Sequence, residues 1–119
     1  MIAIGTDIVR VARLDKSERF LRRTFTDREL EICAGRTESL AGRWAAKEAV
    51  MKALGVGLGE VPLTDIEVDA DGTRPVVRLR AAASELAAER GLTNWQITIS
   101  HDGDYAVAFA LASGVSLGT

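Results

Sequence analysis

Cysteine is nearly absent from this sequence: Cys33 is the only one in 119 residues. An internal disulfide is therefore excluded, and so is a cysteine-built zinc site. A reducing cytoplasm is the compartment that fits. Histidine is equally scarce, with His101 alone. No apolar run is long enough to span a membrane. The opening MIAIGTDIVR has no basic segment ahead of a long apolar stretch, so no secretory signal is read. Repeats, low-complexity segments and linkers are also missing, and residues 1–119 are expected to form one domain. What is present is 47% hydrophobic and 27% charged, which fits a globular protein and argues against disorder.

Net charge is −2, but it is unevenly spread. Residues 10–23 carry Arg10, Arg13, Lys16, Arg19, Arg22 and Arg23 against Asp15 and Glu18, a local +4 that leaves −6 elsewhere. Such a patch reads either as a solvated helix face or as a surface for an acidic partner; it does not suit a general nucleic-acid surface.

An apolar run predicts a buried strand over 2–7. A helical segment is expected from about 8 to 23, broken near Asp15–Ser17. Thr26 and Glu29 have capping-box spacing at the start of a further helix ending near Gly35. Glu38–Leu54 reads as the long helix, stopped by Gly55, Gly57 and Gly59. Two strands follow near 65–69 and 75–80, joined over Asp71-Gly72. A short helix closes at Gly91, and strands 95–100 and 105–112 form a hairpin across His101–Asp104. In the last strand Tyr105, Val107, Phe109 and Leu111 alternate with Ala106, Ala108, Ala110 and Ala112. Both faces are apolar, so both are expected to be covered, by the chain's own helix or by another subunit.

The long helix has two apolar faces at 100° per residue. One is large (Leu40, Trp44, Val50, Met51, Leu54) and one is small (Gly42, Ala45, Ala46, Ala49, Ala53). Its charges fall at the seams. Glu48 and Lys52, four apart, make an ordinary favourable pair. Arg43 and Lys47, also four apart, are like charges, which suits a helix with an anion against it; a carboxylate or a phosphate would serve. Asp7 ends the first apolar run and reads as a helix N-cap. Beside Glu48 it would instead complete a hard oxygen pair suited to Mg²⁺. GVGLG follows a helix rather than a strand, so a Rossmann or P-loop reading fails.

GTD at 5–7 followed by RWAAKEAVMKALG at 43–55 resembles the 4′-phosphopantetheinyl transferases. Trp44 to Lys52 is similar to their aromatic-x-x-Lys-Glu-Ala/Ser-x-x-Lys motif. The strand leading to G-x-D and the ending ISHDGDYAVAFA resemble the short holo-[acyl-carrier-protein] synthase branch, and the resemblance covers the chain in order. It implies an α+β fold, a small mostly antiparallel sheet on a long central helix, in a homotrimer with sites at subunit interfaces. It implies transfer of 4′-phosphopantetheine from coenzyme A to a serine of apo acyl carrier protein, supporting fatty acid synthesis. The nucleophile then belongs to the partner, so no Ser-His-Asp triad is needed.

By the same resemblance, Asp7 and Glu48 would hold Mg²⁺ and Lys52 would assist the leaving phosphate. Arg43 would bind the 3′-phosphate, with Lys47 a further anion ligand. His101 would hold a coenzyme A phosphate or act with Asp102 in removing the serine proton. Gly55, Arg74, Pro75 and Ser100 complete the coenzyme A set. Arg13, Arg19, Arg22 and Arg23 would dock the acidic carrier, free or as a domain of a larger synthase. Other classes remain: a non-catalytic Mg²⁺ and nucleotide-binding module, a structural oligomer whose charges are salt bridges, or a transferase with broader polyketide and peptide carrier specificity.

Overall fold

Residues 2–10 alternate strictly, with Ala3, Gly5, Asp7 and Val9 turned inward and Ile2, Ile4, Thr6, Ile8 and Arg10 outward. In the computed structural model, which describes residues 1–114, this run is β1 (Ile2–Arg10). The strand is three residues longer than the apolar run predicts. Residues 8–10, expected as helix, pair instead with the last strand: Ile8 lies opposite Val107, Val9 opposite Ala106 and Arg10 opposite Tyr105. The Arg10 guanidinium lies 5.4 Å over the Tyr105 ring and donates to its hydroxyl at 2.8 Å. The partner is 95 residues away in sequence, which is why local periodicity does not show it.

A 3-10 turn covers Val11–Arg13. The expected break near Asp15–Ser17 is present, and Ser17 caps α1 (Glu18–Thr24) by accepting from the Phe20 N–H. The capping box is formed as predicted at the start of α2 (Asp27–Cys33): Thr26 accepts from the Glu29 N–H at 3.2 Å, and Glu29 accepts from the Thr26 N–H at 2.8 Å. Such a cap contributes about 1 kcal/mol. The long helix α3 (Thr37–Leu54) ends at Gly55 in the left-handed conformation. Then come β2 (Ile66–Asp71), β3 (Arg74–Leu79), α4 (Ala81–Glu89), β4 (Asn94–Asp102) and β5 (Tyr105–Ser113). The β4–β5 loop is only Gly103-Asp104, because Asp102 already pairs with Tyr105. His101 and Asp102 therefore belong to the strand, not to the turn.

Three antiparallel strands in the order β1-β5-β4 form one sheet, and β2-β3 form a separate hairpin. The helix α3 packs on the inner face of the sheet. On β5 that face is built from small residues: Ala106, Ala108, Ala110 and Ala112 are all buried, as are Ala45, Ala46, Ala49 and Ala53 on the helix, while β4 adds the larger Trp95, Ile97 and Ile99. Gly5 sets the separation. A Cβ there would lie 1.9 Å from the Ala49 carbonyl oxygen and 2.9 Å from the Ala53 nitrogen. The second side of α3 is buried too. Leu40 and Trp44 join Phe25, Leu14 and Cys33 under α1 and α2, while Val50, Met51 and Leu54 pack with Val61, Ile66, Val68 and Leu92. The α+β architecture is the expected one. No helix is long and apolar enough to cross a membrane among the described residues. The last five residues of the expected single domain lie outside the described residues.

Candidate active site at the helix–strand seam

Close packing at Gly5 brings the next inward residue of β1, Asp7, against the Glu48–Lys52 edge of α3. Asp7 lies inside the strand opposite Ala108, so it is not a helix N-cap. The Lys52 ammonium reaches Asp7 Oδ1 at 3.1 Å and donates to the Thr6 carbonyl at 2.9 Å. Lys52 is thus bonded to β1 rather than to Glu48 four residues before it. Glu48 is half-buried. Burial pushes its carboxyl above the ordinary 4.5, and the negative charge of Asp7 pushes it further; Lys52 and a hydrogen bond from Trp44 pull the other way.

Two carboxylates at one partly buried seam, the charge of Asp7 opposing ionisation of Glu48, are a hard oxygen donor set that a divalent cation would relieve. Among the described residues no group of three or more His, Cys, Asp and Glu forms around them. A cation held there would complete its shell with water and substrate oxygens, as Mg²⁺ does. The donor set fits that ion.

The other stripe of α3 behaves differently. Lys47 has no exposed surface. Its ammonium meets Glu29 Oε1 at 2.7 Å, the Leu63 carbonyl at 2.9 Å and the Ile66 carbonyl. All three hydrogens have acceptors, so none is left for a phosphate, and Lys47 leaves the coenzyme A set. The anion that balances this stripe is a carboxylate. Glu29 also accepts from the Val68 N–H at 2.7 Å, and Thr26 donates to Glu67 at 2.7 Å, which in turn pairs with Arg80 at 2.8 Å. Arg43 is half-buried and donates through Nε to the Val68 carbonyl at 3.1 Å. It faces β2, about 140° around the helix from Glu48.

His101 packs against α3 where Gly42 makes room: a Cβ on Gly42 would lie 2.9 Å from His101 Nε2. That nitrogen is 2.9 Å from the Glu38 carbonyl. A carbonyl only accepts, so Nε2 carries the hydrogen and Nδ1 is left open. Strand alternation turns Ser100 and Asp102 to the opposite, outer face of the sheet. Within one subunit, Asp102 therefore does not assist His101, and Ser100 does not join it.

Arg74 and Pro75 begin β3 at the tip of the hairpin, on the β2 side with Arg43 rather than at the Asp7 seam. Gly55 stands at the end of α3, where a Cβ would meet Arg90 Nη1 at 2.7 Å. Arg13, Arg19, Arg22 and Arg23 are all exposed, and Arg22 pairs with Glu18 at 3.0 Å. A cleft of about 590 Å³ between α1 and the glycine-rich loop is lined by Arg19, Arg22, Arg23, Leu58 and Pro62. A second, of about 320 Å³, is lined by Val9, Arg13, Trp44 and Tyr105 and adjoins the seam. The outer sheet face is apolar and open: Ile2, Ile4, Ile8, Phe109 and Leu111 are all exposed. The chain thus gathers Asp7, Glu48 and Lys52, and leaves Arg43 and Arg74 apart from them.

Residues 3–110 match the sequence model of the 4′-phosphopantetheinyl transferase superfamily. The chain is 40% identical to the holo-[acyl-carrier-protein] synthase of Herpetosiphon aurantiacus over 96% of its length and all of that protein. With the synthase of Desulforudis audaxviator it shares 42% identity over 98% of this chain and 95% of that one. Its structure is similar to that of the Helicobacter pylori holo-[acyl-carrier-protein] synthase solved with coenzyme A, with a TM-score of 0.84, 33% identity, and coverage of 92% of this chain and 99% of that one. Fold, seam and these likenesses agree, and the chain belongs to the 4′-phosphopantetheinyl transferase superfamily, among its holo-[acyl-carrier-protein] synthases.

Proposed function

We propose that this enzyme transfers 4′-phosphopantetheine from coenzyme A to a serine hydroxyl of an apo acyl carrier protein, with Mg²⁺, in the service of fatty acid synthesis. The serine oxygen attacks the phosphorus that bears pantetheine, the pyrophosphate linkage breaks, and adenosine 3′,5′-bisphosphate leaves. The observation that carries this reading is the Asp7–Glu48–Lys52 cluster at the seam of α3 and β1. Asp7 and Glu48 would hold Mg²⁺, which when bound neutralises pyrophosphate charge. Lys52, already at the seam, supplies a cation to the leaving phosphate. Most of the work is positioning and charge stabilisation, as in other phosphoryl transfers.

His101, with Nε2–H fixed on the Glu38 carbonyl, offers Nδ1 to the serine proton. Arg43, Gly55, Arg74 and Pro75 are assigned to coenzyme A, Arg43 to its 3′-phosphate. Arg13, Arg19, Arg22 and Arg23 are assigned to the acidic carrier. The open apolar sheet face and the separation of Arg43 from Glu48 support a homotrimer in which neighbouring subunits complete each site. Ser100 and Asp102, on that outer face, then lie where a neighbour is expected. Buried, free Cys33 is in keeping with a cytoplasmic enzyme.

The direct test mixes the protein with coenzyme A, Mg²⁺ and an apo carrier and weighs the carrier by mass spectrometry. One added phosphopantetheine, lost with EDTA, is the expected result. Coenzyme A binding without transfer to any of several carriers would overturn it in favour of a binding module.

A further inference from the structure

Where α3 crosses β1 and β5 the seam is made mostly of alanines and a glycine, while on the β4 side Ile99 lies against Gly42 and Trp95 and Ile97 pack into the same core. Alanine side chains offer only shallow ridges, so packing on β1 and β5 does little to fix how far the helix is rotated about its axis. Yet Glu48 must meet Asp7 closely enough for the two to share one cation. Bonds at the edges of α3 then help to set its rotation.

Several of these lie on the other side of the helix. Lys47 is adjacent to Glu48, about 100° around the helix. Its ammonium is tied at three points to elements that are not part of the sheet: Glu29 of α2, and the Leu63 and Ile66 carbonyls at the entry to β2. Glu29 is itself held by the Thr26 and Val68 N–H groups. One turn before Lys47, Arg43 is bonded to the Val68 carbonyl. The helix is thus held on this flank through Lys47 and Arg43, and toward the sheet through Lys52 on β1 and the Glu38 carbonyl on His101. A completely buried ion pair is a poor source of stability, because desolvation offsets most of its attraction, but it is a good source of orientation. Lys47 is fully buried with all three ammonium hydrogens bonded within the protein, so any effect on the reaction passes through what it holds.

We propose that the buried Lys47–Glu29 pair is a positioning device for the reaction: it fixes the rotation of α3 and thereby the placement of Glu48 against Asp7. The proposal rests on the reading of Asp7 and Glu48 as the metal-binding pair. Displacement by about 1 Å of a group that orients reacting atoms lowers rates by about 10²-fold, so loss of the clamp reaches the chemistry without touching substrate.

The experiment uses full-length protein and Mn²⁺ as a spectroscopic substitute for Mg²⁺. Mn²⁺ affinity is measured by electron paramagnetic resonance with coenzyme A present, and kcat and KM by carrier modification, for wild type, Lys47→Met and Lys47→Arg. Lys47→Met removes the ammonium. Lys47→Arg keeps the charge, so Glu29 retains a cation, but its planar fork cannot reproduce three bonds converging on one nitrogen. In the positioning role, Mn²⁺ binding weakens by about 10-fold or more and kcat falls by about 30-fold or more, while KM for coenzyme A stays within about threefold, because Arg43 is untouched. If Lys47→Met does not fold, Lys47→Arg alone decides. Folded variants whose melting temperature falls while Mn²⁺ affinity and kcat match wild type would overturn the proposal and leave the pair a purely structural one. Wild type that neither transfers nor binds Mn²⁺ in a Glu48-dependent way would instead overturn the reading of the seam on which the proposal rests.

Discussion

Glu48 is placed where burial and the charge of Asp7 both oppose its ionisation. A carboxyl whose folded value lies above its unfolded one contributes stability below the unfolded value, and that contribution is lost as pH rises through the folded value. At neutral pH the ionised Glu48 is therefore a burden on the fold. Glu48→Gln removes it. The variant is expected to melt higher than wild type at pH 7–8 without metal, with the difference shrinking as pH falls through the raised folded value toward the ordinary 4.5. Transfer by the same variant should drop by about 10²-fold or more. Thermal melts across pH, paired with carrier modification, check both halves. A lower melting temperature at neutral pH would contradict the account of this carboxyl.

Metal should reverse that order. A cation bound only by the folded protein stabilises it by mass action. Wild type is expected to gain about 3 kcal/mol at a hundredfold excess of Mg²⁺ over its dissociation constant, and Glu48→Gln little. Melts with and without Mg²⁺, in the presence of coenzyme A, measure the difference. Equal gains in the two proteins would place the cation elsewhere.

Gly5 touches the backbone of α3 at Ala49. Gly5→Ala must push the strand from the helix, since neither contact atom belongs to a flexible side chain. A loss of about 3 kcal/mol or more is expected, at or beyond the upper end of ordinary overpacking. Activity should fall further than stability, because Asp7 is two residues along the same strand. Urea melts and transfer rates on the folded fraction test this.

On the outer sheet face, Phe109→Asp introduces a charge into an exposed apolar row. A protein whose subunits associate through that face should become monomeric in light scattering and lose transfer, with its helix content kept. A variant that stays trimeric and active would show that association uses another surface.

Arg19 and Arg23 line the cleft beside α1. The double change Arg19→Glu, Arg23→Glu should raise KM for an acidic carrier by about 10-fold or more while KM for coenzyme A holds. Raising salt from 50 to 300 mM should weaken wild type in the same direction. A coenzyme A effect of equal size would mean that these arginines serve the nucleotide.

Local chemistry was legible in the residues. Thr26 and Glu29 announce a capping box because the whole motif lies within four positions. Gly55 announces the end of α3 because it can take the left-handed conformation. The Asp7–Glu48 pairing rested on resemblance, since 41 residues separate them. Features that depend on distant partners were not legible. Ile8–Arg10 continue as strand because β5 lies beside them. Lys47 matches a substrate-binding motif by position, yet is satisfied by Glu29 and two carbonyls. The sequence shows Glu29 capping its helix, and nothing in its spacing shows that its other flank reaches α3. His101 and Asp102 are neighbours in the chain and opposites in space, for the reason that a strand alternates and a turn does not.

The alanine seam between α3 and the sheet has a consequence for how this enzyme can vary. It contains almost no side-chain volume to remove, so truncation can hardly damage it. The most harmful replacements there are enlargements, whereas Ala→Gly within α3 costs only about 1 kcal/mol of helix propensity. Random mutagenesis scored by function should therefore return a one-sided pattern at Gly5, Ala49, Ala53 and Ala108, tolerant of smaller side chains where any exist and closed to larger ones. Adaptation of the site has to come from the flanks of the helix, where the charges are, and not from the face that holds it down.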